Sequence, residues 1–114
     1  MAENKLADLS MDFAISILKV TDGIKGHYSL INQLERSATS IGANIREAKY
    51  AHSKADFISK LQIALKECYE TEYWLEIFKE TEYLPLEEYG SLSQECSKIR
   101  NKLAHSITTA KNNI

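Results

Sequence analysis

The sequence predicts an all-α fold, an antiparallel up-down-up-down four-helix bundle forming one domain over residues 1–114. Two observations carry that expectation. Four Gly and one Pro in 114 residues leave too few turn and breaker signals for a many-stranded sandwich or barrel. Apolar residues recur at spacings of three and four through four long stretches with short connections, and helices joined that way pack as antiparallel neighbours.

The first helix is expected from Asn4 to Val20, where Leu6, Leu9, Phe13, Ile17 and Val20 keep one face apolar. Asn4 is its candidate cap and Gly23 its terminator. Ser29 is the candidate cap of a second helix running to about Tyr50, with Leu30, Leu34, Ala38, Ile41, Ile45 and Ala48 on its stripe. Ser53 and Asp56 form the Ser-x-x-Asp pattern that opens a third helix. That helix carries Phe57, Leu61, Ala64, Leu65, Cys68 and Leu75 and ends before Pro85. Pro85 suits the first turn of a fourth helix, and Glu87 and Glu88 complement the positive end of its dipole. Tyr89, Leu92, Cys96, Ile99, Leu103 and Ile107 continue its stripe.

Two helices hold more apolar surface than one stripe needs. Projected at about 100° per residue, Met11, Ile15 and Leu18 lie well away from the Leu6/Phe13/Val20 face. Ile63, Trp74 and Ile77 form a second seam on the third helix. Each seam is either the contact of a helix with two neighbours in its own bundle or an interface between subunits.

Composition narrows the setting. Hydrophobic residues at 44% and charged residues at 26% are those of a folded globular chain. Cys68 and Cys96 stand far apart with no CxxC or Cys/His cluster, so reduced thiols in a cytoplasmic protein are the simplest reading. No signal-peptide pattern is present, and the apolar run from Phe13 to Leu18 is far too short to span a bilayer, so no membrane role is expected.

Catalytic constellations are sparse. The chain has no Walker-type loop, GxGxxG, GxSxG or HExxH, and His27, His52 and His105 are scattered without a Glu-x-x-His pair. No cofactor or metal is expected. The most unusual segment lies in the second helix, where Ser37, Ser40, Asn44 and Glu47 make a polar stripe beside the apolar one. A hydrolase reading would use Ser40 as nucleophile and Glu47 as base, but no His or Lys at helical spacing completes the set. The structural reading is a polar network of Arg36, Ser37, Ser40, Asn44, Glu47 and Glu70, with Ser, Ala and Gly letting a neighbouring helix approach closely.

The run Gln33-Leu34-Glu35-Arg36-Ser37-Ala38-Thr39-Ser40-Ile41-Gly42-Ala43-Asn44-Ile45-Arg46-Glu47, with Asp56-Phe57-Ile58-Ser59-Lys60-Leu61-Gln62-Ile63-Ala64-Leu65 and Glu70-Thr71-Glu72, resembles the four-helix-bundle proteins called 23S rRNA intervening-sequence proteins. Arg46 stands where that family usually has Ala, and Ala48 where it usually has Gly. The resemblance implies a ring-like homopentamer of antiparallel bundles. It also implies kinship with the accessory variability determinant of diversity-generating retroelements, a pentamer that engages reverse transcriptase and nucleic acid.

The formal net charge of −2 hides a strong asymmetry. Residues 67–95 hold nine Glu against Lys79 alone, whereas residues 44–61 sum to +2 and the tail from Lys98 onward to +4. In the expected topology the two basic segments share a pole. Arg46, Lys49, Lys54, Lys60, Arg100 and Lys102 are therefore the candidate phosphate contacts for RNA or DNA, with Tyr50 and His52 available to stack on bases. The alternative is that these cations complement helix dipoles, at a pole that also carries Glu3, Asp8 and Asp12. The leading expectation is a non-enzymatic, self-assembling interaction or scaffold protein. Next comes a nucleic-acid-binding pentamer, with the accessory role to a reverse transcriptase that the resemblance implies; a small hydrolase comes last.

Overall fold

The computed structural model describes residues 2–113, with side chains from Lys5 onward. It has four helices: α1 (Ala2–Asp22), α2 (Tyr28–Lys49), α3 (Lys54–Glu80) and α4 (Leu86–Asn112). The described residues contain no strand. Each helix packs on its neighbours in the chain, and α1 closes the ring on α4, giving a rod of 48 × 21 × 19 Å.

The directions follow from pairs that face one another. Ser10 meets Gly42 while Thr21 donates to Glu35, so α1 and α2 run in opposite directions. Arg36 pairs with Glu70 and Glu47 with Lys60, which does the same for α2 and α3. Lys79 sits over Tyr89 and Arg100 bonds Glu72, reversing α4 against α3.

The core is the set of stripes read from the sequence, with additions. Leu6, Phe13, Ile17, Leu34, Ala38, Ile41, Leu61, Ala64, Cys68, Leu75, Leu92, Cys96, Ile99 and Leu103 are buried. Leu9, Val20, Leu30, Phe57, Leu65 and Tyr89 pack against them half-buried. Phe78 and Leu84 are also buried, as are four polar side chains: Ser10, Thr21, Ser37 and Thr71. Thr71 completes a Cys68, Thr71, Leu75, Phe78 stripe at spacings of three and four, in which the polar residue hides the apolar rhythm.

Helix ends differ more from expectation. The first helix begins at Ala2, so Asn4 is inside it rather than at its cap, and the Asn4 side chain lies outside the described residues, as does that of Glu3. At α2 the cap is His27, not Ser29, and it offers no side-chain hydrogen bond. Its left-handed backbone, φ 55, follows Gly26 at φ 81, and this pair of left-handed residues turns the chain. The His27 ring stacks on Tyr83 with centroids 3.9 Å apart, tying the α1/α2 turn to the α3/α4 turn. Ser53 does cap α3, accepting from the Asp56 amide at 3.0 Å. Asp56 does not complete the reciprocal half of a capping box; its carboxylate meets His52 Nδ1 at 3.2 Å. Pro85 stands one residue before the start of α4.

Candidate functional site

Three surfaces hold the residues singled out in the sequence. The first is the outer stripe of α1. Met11, Ile15 and Leu18 are 48%, 43% and 44% exposed, a continuous apolar strip on a helix whose other face is core. An open groove of about 1190 Å³ borders it, lined by Leu6 and Ala14 of α1, Ala43 and Arg46 of α2, and His105 and Ala110 of α4. The seam expected on α3 is placed differently. Trp74 and Ile77 are half-buried against the core, and the Trp74 indole donates to Glu70 at 3.2 Å, so only Ile63 of the three is exposed. Trp74 is therefore largely satisfied within its own chain.

The second surface is the α2/α3 seam. Arg36 forms an ion pair with Glu70, which also accepts from Trp74. One residue on in each helix, Thr71 Oγ1 lies 2.9 Å from Ser37 Oγ and 2.8 Å from the Glu67 carbonyl, with one proton to give, while Ser37 donates to the Leu34 carbonyl. Asn44 does not cross to α3; it donates to the Ser40 carbonyl in its own helix at 2.8 Å. Glu47 accepts from Lys60 at 3.1 Å. Gly42 marks the close approach on the other side of α2, since a Cβ there would stand 3.2 Å from Ser10 Oγ. Sequence reasoning missed Glu67. Its Oε1 is sealed from solvent and has no hydrogen-bond partner among the described residues. Burial, reinforced by Glu70 and opposed by Arg36 and Lys66, pushes its carboxyl above the usual range.

The third surface is the basic pole, where the α1 N-terminus, the α2 C-terminus, the α3 N-terminus and the α4 C-terminus gather. Arg46, Lys49 and Lys54 are exposed there, Lys102 is half-exposed one stretch inward on α4, and among the described residues none of the four is in an ion pair. Lys60 and Arg100 are engaged within the chain. Lys60 bonds Glu47, and Arg100 bonds Glu72 at 3.0 Å and lies over the Tyr69 ring. The Glu72 bond raises the Arg100 pKa further, so this cation stays charged and held in mid-bundle. Tyr50 is exposed at the pole with Lys49 over its ring.

No helix of the described chain is long and apolar enough to cross a membrane. No protein of curated function matches the sequence. A solved structure does: a protein of unknown function from the S23 ribosomal protein family of Bacteroides thetaiotaomicron, 44% identical, superposes with a TM-score of 0.89 over 95% of this chain and 99% of that one. The family described as 23S rRNA-intervening sequence protein matches residues 2–105, nearly the whole bundle, including the Arg36–Glu47 stripe. The chain therefore belongs to the 23S rRNA-intervening sequence protein family.

Proposed function

We propose that the protein is a non-enzymatic, self-assembling bundle that serves as an interaction or scaffold module, with the outer stripe of α1 as a contact between copies. The observation that carries this reading is the exposed Met11, Ile15 and Leu18 strip, spaced four and three residues apart as a helix-to-helix contact requires. Small neighbours, Ala14 and Ala43, line the groove beside it and let a second helix come close. A hydrolase reading is weakened because Glu47 is held by Lys60 and Asn44 by its own helix. The family resemblance implies five copies. Light scattering is expected to give a mass several times the 12.9 kDa of one chain. Replacing Ile15 and Leu18 together by Asp is expected to yield a helical monomer. A wild-type chain that scatters as a monomer would overturn the reading.

A second function of the same assembly is favoured by the cations at the basic pole that have no ion-pair partner among the described residues. Copies arranged side by side gather Arg46, Lys49, Lys54 and Lys102 into a rim suited to sequence-independent phosphate contacts with RNA or DNA. A nucleic-acid partner handled together with a reverse transcriptase fits this reading. Titration with single-stranded RNA and DNA at several salt concentrations is expected to show affinity falling as salt rises. Charge reversal of Arg46 and Lys49 is expected to reduce it at every sequence; affinity indifferent to both removes this function.

A further inference from the structure

The chain has two cysteines, and the fold brings them together. Cys68 of α3 and Cys96 of α4, 28 residues apart, are both fully buried, with Cys96 Sγ 3.6 Å from the Cys68 carbonyl oxygen. The Cys68 side chain lies within hydrogen-bonding reach of the same thiol. The antiparallel register produces this meeting, since both residues are nearly equidistant from the α3/α4 turn at Thr81–Pro85. Neither is a fragment of a metal site, because no group of three His, Cys, Asp or Glu assembles among the described residues. A hydrophobic layer needs no sulfur on both helices; two facing thiols offer a bond that Ala or Val in their places would not.

We propose that Cys68 and Cys96 are a latent cross-link, a dithiol that a low-molecular-weight disulfide such as oxidised glutathione converts into an intrachain disulfide joining α3 to α4. One cysteine thiolate attacks a sulfur of the oxidant, whose S–S bond breaks and releases one glutathione thiolate, which takes up a proton. The second cysteine thiolate then attacks the protein sulfur of the mixed disulfide and releases the second glutathione. Two protein thiols thus lose two electrons and two protons, and the oxidant's disulfide gains both as two thiols.

Access decides when this happens. Contact with the Cys68 side chain and burial raise the Cys96 thiol pKa, and no room is left for a glutathione adduct between the helices. Exchange therefore runs through states in which α4 has moved off α3, during folding or partial opening. The closed bundle keeps its thiols, whereas a chain that closes under oxidising conditions is locked with α4, the bearer of Arg100 and Lys102, fixed in register.

The test removes the access barrier. Reduced protein is unfolded in denaturant, refolded in glutathione buffers of stepped composition, trapped by alkylation and weighed by mass spectrometry. The expected product is a single chain about 2 Da lighter than the reduced form and resistant to alkylation. Its thermal midpoint should be higher by on the order of 10 °C, as for a cross-link closing a loop of this length. Cys68→Ala and Cys96→Ala variants, refolded in parallel, should carry one free or glutathionylated thiol and gain no stability from oxidant. Recovery of two alkylated cysteines in every buffer, glutathione adducts on both, or an oxidised chain that melts no higher than the reduced one would overturn the proposal.

Discussion

At Glu67, one carboxylate oxygen has lost contact with solvent and gained no hydrogen bond among the described residues, while Glu70 adds repulsion. The folded chain accordingly holds the Glu67 proton to higher pH than the unfolded chain does. Its native state binds more proton across the window from about 4.5 up to the raised value, so stability falls as pH rises through that window. Below the window both states are protonated and no penalty exists; above it the penalty is complete. Glu95 acts in the same sense, through burial and Asp12 opposed by Lys98. Glu67→Gln is therefore expected to raise the melting midpoint at pH 7.5 and to change it little at pH 4. Equal lowering at both pH values would contradict the assignment. None of this was readable from the sequence, where Glu67 is one of nine acids in an acidic stretch.

The end of α3 carries its own device at the scale of the element. The Tyr83 amide donates to the Phe78 carbonyl at 2.9 Å and the Glu82 amide to the Lys79 carbonyl at 3.0 Å, the paired bonds of a Schellman stop. Tyr83 closes the hydrophobic side of the motif, edge-on to Phe78 with centroids 6.2 Å apart. The residue that must turn left-handed is Glu82, at φ 64, where glycine would be free of strain. Glu82→Gly is expected to stabilise the protein by about 0.5–1 kcal/mol in denaturant melts. Glu82→Ala should bring no such gain, which separates backbone relief from loss of a negative charge.

This stop also marks where sequence reading reached its limit. Ser53 announced α3 because a hydroxyl three residues before an amide is a local signal. Glu82 did not announce its turn, since glutamate does not favour left-handed backbone, and His27 did so only weakly, histidine being tolerated there without being diagnostic; tertiary contact with Tyr83 and the Schellman bonds hold them there. The core stripes were legible wherever apolar spacing was unbroken. They faded at Ser37 and Thr71, whose hydroxyls are buried because they satisfy one another and nearby carbonyls.

For the molecule as a whole, the net charge of −2 resolves into two unlike ends. Glu76, Glu80, Glu82, Glu87 and Glu88 crowd one pole around Lys79, whereas Arg46, Lys49 and Lys54 stand at the other. That polarity was legible from segment charges and topology. Which cations are free was not, because the Lys60–Glu47 and Arg100–Glu72 pairs depend on helix register. Register likewise turns two cysteines distant in sequence into neighbours.

The ring of helices has one thin seam, between α1 and α4, while the three broader seams all join helices consecutive in the chain. Most of the core can therefore assemble by closing turns of only a few residues, with little loop entropy to overcome. Chains with that contact pattern fold in microseconds to milliseconds, faster than sheet proteins of equal size. Only the α1/α4 closure must wait for two intervening helices. It is expected to form last and, on the return path, to part first, freeing both terminal helices while α2 and α3 still stand.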